Sequence, residues 1–144
     1  YGEWDKKSGI ALLSPAKKGG LAPGVKSLVW EDASIGGLQK AEKAPVYFFS
    51  SETFNSPPQM HVTDASLTAA KQITANAPDA DKYSWSAGTR LVNYVTDKGD
   101  SLQGALFLPA GYVEGKKYPT VVYYYEKLSQ TRHNWTNPGY SVTR

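Results

Sequence analysis

The sequence predicts a mainly β chain, and three observations support that prediction. Short apolar runs are separated by clusters of glycine, proline, asparagine and aspartate, as is typical of strands joined by turns. Few segments place apolar residues at the spacing of a helix. The 144 residues include ten tyrosines and four tryptophans, whose side chains fit the pleated surface of a sheet.

The apolar runs predict eight strands, at residues 10–13, 27–30, 46–50, 59–63, 71–74, 91–96, 102–108 and 120–125. Residues 1–86 consist of short runs with long polar turns, as in "VYFFSSETFNSPPQMHVTDASLTAAKQIT". This is the pattern of an antiparallel meander such as a propeller blade, and any other antiparallel sheet would also fit it.

From residue 90 onward the apolar runs are longer and lie closer together in the sequence. "RLVNYVTDKGDSLQGALFLP" predicts a hairpin whose turn contains Gly99, and residues 106–108 are apolar on both faces, which predicts cover on both sides. Pro109 ends that strand because it cannot donate to a ladder. After a polar loop and Pro119, the continuous run "TVVYYY" suits an interior strand of an α/β sheet.

Composition narrows the function classes. The charged fraction is 20% and the net charge is +3, with basic residues in isolated pairs, so no basic face for nucleic acid is expected. The absence of cysteine excludes disulfides, thiol catalysis and cysteine-ligated zinc. We expect no metal, no cofactor and no membrane span, because no clustered ligands and no run of about 18 apolar residues occur.

The second half resembles the entry into the catalytic domain of the prolyl oligopeptidase family. The resemblance rests on the hairpin "TDKGDSLQGALFLP", the following "GKKYP" and the apolar strand, with Lys98 as an extra residue between Asp97 and Gly99. The preceding meander is similar to the last blades of that family's propeller. The terminal "NPGYSVTR" resembles the chain just after the family's first central strand.

The resemblance implies the end of a β-propeller at residues 1–86 and the truncated start of an α/β-hydrolase domain at residues 87–144. It implies a serine peptidase that cleaves peptides with a Ser–Asp–His triad downstream of this chain. We therefore expect a fragment that is inactive alone and marginally folded, with the remainder of the same protein and a peptide substrate as partners. The resemblance slightly favours a periplasmic or secreted location, and a cytoplasmic one stays open.

The resemblance also implies two site residues. Tyr125 falls where family members carry a tyrosine or histidine that contributes to the oxyanion hole, and a phenol there can donate to a tetrahedral oxyanion. Glu126 would place a carboxylate near the cleft, where it could meet a substrate amine. Glu126-Lys127 stands where small residues are usual, so the turn is expected to differ. The alternative is a solvated turn in which the tyrosine only packs.

Three other residues are candidates for chemistry. Ser34 lies in "DASIGG", the nearest approach to a G-x-S-x-G elbow, but Asp32 occupies the first glycine position and "LQKAEKA" makes a poor packed helix. We expect a loop serine there. His61 is expected to be a hydrogen-bonded strand residue. His133 lies in a polar loop, and a triad with Ser34 has no local support.

A rival function comes from a different class of protein. The chain could be a stand-alone β-sandwich that binds carbohydrate, with Trp4, Trp30, Trp85 and Trp135 as stacking platforms. A sandwich strand would alternate apolar and polar side chains, and "TVVYYY" does not. The sequence therefore favours the peptidase.

Overall fold

The computed structural model describes residues 1–15, 24–75, 80–125 and 127–137, which form a mainly β structure and confirm that prediction. The described strands are β1 Ser8–Ser14, β2 Gly24–Glu31, β3 Ser34–Lys40, β4 Tyr47–Thr53, β5 Ser56–Thr63, β6 Lys71–Gln72, β7 Thr89–Val95 and β8 Ser101–Phe107. They form three antiparallel sheets, in the orders β1–β2, β3–β4–β5–β6 and β7–β8. Single 3-10 turns lie at Ala80–Lys82 and Ser129–Thr131.

A serine hydroxyl joins the first sheet to the second. Strands β1 and β2 pair along their lengths, with an irregularity between Ile10 and Ala11. The hydroxyl of Ser8 donates to the carbonyl of Ala33 and accepts from the amide of Ile35, both at 2.7 Å. Since one small side chain satisfies a donor and an acceptor of the neighbouring sheet, β1 is held beside the start of β3.

The four-stranded sheet carries the main core. Its strands follow chain order, which is the meander that the sequence predicted. Phe49 of β4 is 2% exposed and clusters with Val29 of β2 and Leu67 from the turn after β5. His61 stands opposite Phe49 on β5, and the two rings stack at 5.0 Å. This face of the sheet therefore packs against the β1–β2 sheet.

The hairpin of β7 and β8 confirms the predicted glycine turn. The amide of Thr96 donates to the carbonyl of Asp100 at 2.9 Å, and the amide of Gly99 donates to the carbonyl of Thr96 at 3.0 Å. Gly99 has a φ of 87°, in the left-handed region that glycine adopts without steric cost. The side-chain amide of Asn55 reaches the carbonyl of Ser86 at 2.9 Å and connects the second sheet to the segment before this hairpin.

The predicted strand at residues 120–125 does not form in the described chain. These residues have no ladder partner among the described strands, and Val121 and Tyr125 are 92% and 82% exposed. The prediction of an interior strand was wrong here for a physical reason. An apolar run becomes such a strand only beside neighbouring strands and covering helices, and the described residues supply neither.

Two smaller predictions also need correction. Residues 34–40 form β3, so Ser34 lies in a strand and not in the expected loop, because pairing with β4 determines the local structure. Gly37 has a φ of 67° where the register shifts, so the glycines form a bulge and not an elbow. At the end of β8, Leu106 and Phe107 lie on opposite faces and are 39% and 47% exposed, so the predicted cover on both sides is not present among the described residues; Leu108, just after the strand, is buried.

Candidate functional site

Tyr125, the predicted site residue, lies at the end of an exposed aromatic run. All members of this run are at least 69% exposed: Val121, Val122, Tyr123, Tyr124 and Tyr125. The described residues offer the Tyr125 hydroxyl no hydrogen-bond partner. Its phenol is therefore available to donate to a group brought from outside the described chain. Glu126, the second predicted site residue, lies outside the described residues.

The chain before the aromatic run is anchored by Tyr118. Its hydroxyl accepts a hydrogen bond from the amide of Val113 at 2.8 Å, and its ring packs 5.4 Å from that of Tyr112. The guanidinium of Arg90 lies 5.3 Å from the centre of the Tyr112 ring and 3.7 Å from the carboxylate of Glu114. These contacts connect the loop after β8 to β7, so the position of the residues just before the aromatic run is constrained.

The chain after the run is anchored by Lys127. Its ammonium forms an ion pair with the carboxylate of Glu3, and this contact lowers the pKa of that carboxyl below its ordinary value. Lys6, almost fully buried, donates from Nζ to the carbonyl of Glu3 at 2.5 Å and orders the same N-terminal segment. Residue 127 is thus held by residue 3, although the two are far apart in sequence.

A second anchor follows at Arg132. Its side chain is 7% exposed, and Nη2 donates to the carboxylate of Asp32 in the turn between β2 and β3. Its Nε donates to Nε2 of the neighbouring His133 at 2.9 Å. A buried guanidinium needs hydrogen-bond acceptors for its in-plane N–H groups, and Asp32 and His133 each provide one. We call the five residues of both anchors the anchor cluster: Glu3, Asp32, Lys127, Arg132 and His133.

The hydrogen bond from Arg132 Nε to His133 Nε2 requires the neutral form of this ring. Burial lowers its pKa below the ordinary value of 6.5, and the charge of Arg132 lowers it further, while the Asp32 carboxylate acts in the opposite direction. Nε2 accepts a hydrogen bond from the Arg132 Nε–H, so the ring proton belongs on Nδ1. Asp32 Oδ1 lies 3.2 Å from the same nitrogen. Asp32 cannot accept a hydrogen bond from Nε2, because that nitrogen carries no proton and is itself an acceptor.

This geometry does not support His133 as the base of a triad with Ser34. A general base needs a free ring nitrogen within reach of the hydroxyl, and Nε2 is occupied by Arg132. Ser34 begins β3 opposite Glu52, and no hydrogen bond joins its hydroxyl to His133 among the described residues. Asp32 and His133 do come together, but they bind an arginine and not a nucleophile.

A polar cleft lies on the face of the four-stranded sheet beside Phe49. It has a volume of about 130 Å³ and is lined by Ser51, Glu52, Thr53, Ser56, Gln59, His61 and Gln72. The amide oxygen of Gln59 accepts from Gln72 at 3.1 Å and from Thr74 at 2.8 Å. Nδ1 of His61 lies 3.2 Å from the carbonyl of Gln59. The predicted hydrogen-bonded strand histidine is therefore confirmed.

The four tryptophans do not share one surface role. Trp85 and Trp135 are half-buried with ring centres 5.0 Å apart, and Tyr83 lies 5.6 Å from Trp85. Trp4 and Trp30 are 63% and 45% exposed. Since a carbohydrate platform needs a free ring face, only this second pair has the exposure that the rival function requires.

Sequence reasoning did not find the anchor cluster. Its pairs are separated by 124 and 100 residues, so no local spacing joins them. The only local signal was that Lys127 follows the aromatic run and Arg132 lies in the polar loop. Charged side chains in such places are more often exposed to solvent than paired. The run of valines and tyrosines was noticed in the sequence, because its residues are consecutive.

Comparisons with protein-family models, with curated proteins and with solved structures find no match for this chain. Within the described ranges, no helix is long and apolar enough to cross a membrane. The same ranges hold no group of three or more histidine or acidic side chains placed to bind a metal ion.

Proposed function

We propose that this chain is the junction of a prolyl-oligopeptidase-like serine peptidase. Residues 1–86 would close a β-propeller, and residues 87–144 would begin an α/β-hydrolase domain. The order of elements supports this proposal: an antiparallel meander, then a hairpin with a glycine turn, then an apolar run. The resemblance in the residues from 90 to 125 gives the same order.

The observation that carries the proposal is the exposed run that ends at Tyr125. Five successive valines and tyrosines, each at least 69% exposed, have no strand beside them among the described residues. Runs of this composition are typical of strands that are buried on both faces by a parallel sheet and its helices. A hydrolase sheet completed by the rest of the protein would bury the run and direct Tyr125 to the rim of a cleft.

In the complete enzyme, a downstream serine would attack the peptide carbonyl, with a histidine as base and an aspartate that orients it. The Tyr125 phenol would donate a hydrogen bond to the developing oxyanion, and Glu126 would lie beside a substrate amine. The donor acts on charge that appears only in the transition state, so its loss would lower turnover more than binding.

The test is Tyr125→Phe in the full-length protein that contains this chain. We expect turnover of peptide substrates to fall by roughly 10²–10³, because one oxyanion donor is lost. A fluorophosphonate should still label the serine, since the nucleophile and base are unchanged. The matched control is Tyr124→Phe, which removes the same hydroxyl from an equally exposed neighbour and should leave turnover unchanged. Equal turnover in wild type and Tyr125→Phe would assign Tyr125 to packing.

A further inference from the structure

The segment that follows Tyr125 is held by the N-terminal half of the chain. Lys127 pairs with Glu3, and Arg132 pairs with Asp32. Between these points lies the 3-10 turn Ser129–Thr131, whose first residue is buried. Two ion pairs therefore connect a segment of the proposed hydrolase half to the proposed propeller half.

Chain geometry relates this connection to Tyr125. Two residues span at most about 7 Å, so the position of Lys127 limits where Tyr125 can lie. On the other side, the next anchor is Tyr118, seven residues earlier, through its bond to Val113. Because no described strand pairs with the intervening run, the nearer anchor at Lys127 has the greater influence on Tyr125.

The Arg132 anchor is the stronger of the two, but it lies seven residues from Tyr125, as far as Tyr118 does, so it acts on the tyrosine only through the segment that begins at Lys127. The Glu3–Lys127 pair is exposed on both sides, and exposed pairs contribute little and are screened by salt. Arg132 is buried, and its fork of donors is directed at Asp32 and His133. Loss of Asp32 would leave a buried cation without its acidic partner, which favours release of the whole segment. Asp32 thus contributes to keeping the segment docked, together with the Glu3–Lys127 pair.

We propose that the anchor cluster positions Tyr125 for catalysis, with Asp32 and Arg132 as positioning residues and Lys127–Glu3 as a weaker support. This inference rests on the proposed peptidase function and adds a dependence of the catalytic half on the propeller half. The cluster touches no reacting atom; it acts through the position of the tyrosine. A misplaced oxyanion donor loses most of its effect, since preorganised distance and direction give it its strength.

The test is a double-mutant cycle in the full-length peptidase. Asp32→Asn should lower kcat by up to about tenfold with little change in KM, because positioning of a transition-state donor is lost in the molecules whose segment is released. In a Tyr125→Phe background the same substitution should change kcat less than about twofold, because there is no donor left to position. Asp32→Glu, which keeps the charge, should restore most of the activity. Asp97→Asn in the exposed β7–β8 turn is the matched control.

The outcomes separate the two proposals. If the protein neither cleaves peptides nor reacts with fluorophosphonate, the proposed function fails. If it is an active peptidase but the effects of Asp32→Asn and Tyr125→Phe multiply, the positioning role is overturned and the function stands. Should Asp32→Asn prevent folding, Glu3→Gln at the exposed pair replaces it. A smaller loss of kcat that disappears in the Tyr125→Phe background supports the inference, and a loss that persists contradicts it.

Discussion

Replacement of Asp32 by asparagine tests the anchor cluster at the level of local stability. The Arg132 guanidinium is buried, and its Nη2 donates to the Asp32 carboxylate. A hydrogen bond to a charged group contributes about 1.5–3 kcal/mol. The Asp32 side chain is 57% exposed, so water replaces part of its role and the lower end applies. We expect a loss of about 1.5 kcal/mol, which corresponds to about a tenfold shift in local opening.

Hydrogen exchange measured by mass spectrometry reads this shift directly. The amide of Thr131 donates to the carbonyl of Leu128 at 3.0 Å, and the amide of Asn134 donates to that of Thr131 at 2.9 Å. Peptides that cover residues 127–134 should therefore exchange about tenfold faster in Asp32→Asn.

The control for this experiment is Asp97→Asn, because that exposed residue makes the same chemical change away from the cluster. It should leave exchange of these peptides at the wild-type rate. Unchanged exchange in Asp32→Asn would show that the segment stays docked without the ion pair, and Asp32 would then have no role in anchoring it.

Three further predictions concern the fold. Burial lowers the pKa of His133 below 6.5, so the unfolded chain binds more protons than the folded chain in mildly acidic solution. The free energy of unfolding should therefore fall as the pH drops below about 6.5. Urea unfolding across this range measures the change, and no loss of stability would contradict the prediction. Phe49→Ala should cost about 3–5 kcal/mol because the side chain is 2% exposed, again by urea unfolding, and a cost below about 1 kcal/mol would contradict the core assignment. In Gly9→Ala the new carbon would lie 1.9 Å from the carbonyl oxygen of Val29, so the melting temperature should drop. Gly104→Ala, with no atom within 4 Å, should change the melting temperature far less, and equal drops would refute the close approach.

Local patterns predicted much of the strand content. The hairpin turn was visible because Gly99 supplies the left-handed residue, and the β4–β5 meander was visible because apolar runs flank a turn. Strand β3 was missed because two glycines and a polar tail hide its period. Only pairing with β4 reveals it as a strand, and pairing is a property of the folded chain.

The candidate site was predictable only in part. The aromatic run stands out in the sequence, and the family resemblance singles out Tyr125 within it; its role as an oxyanion donor stays a prediction. The surroundings of the run were not predictable, because a strand is defined by neighbours that the run itself does not encode. The ion pairs at Lys127 and Arg132 depend on contacts across more than 90 residues, for which a single sequence carries no signal.

Fluorophosphonate labelling of the full-length protein, followed by mapping of the modified residue, decides whether the protein is a serine hydrolase. If the proposed function is right, we expect one labelled serine, outside residues 1–144 and within a G-x-S-x-G sequence. Labelling at Ser34, or no labelling of an otherwise folded protein, would contradict it.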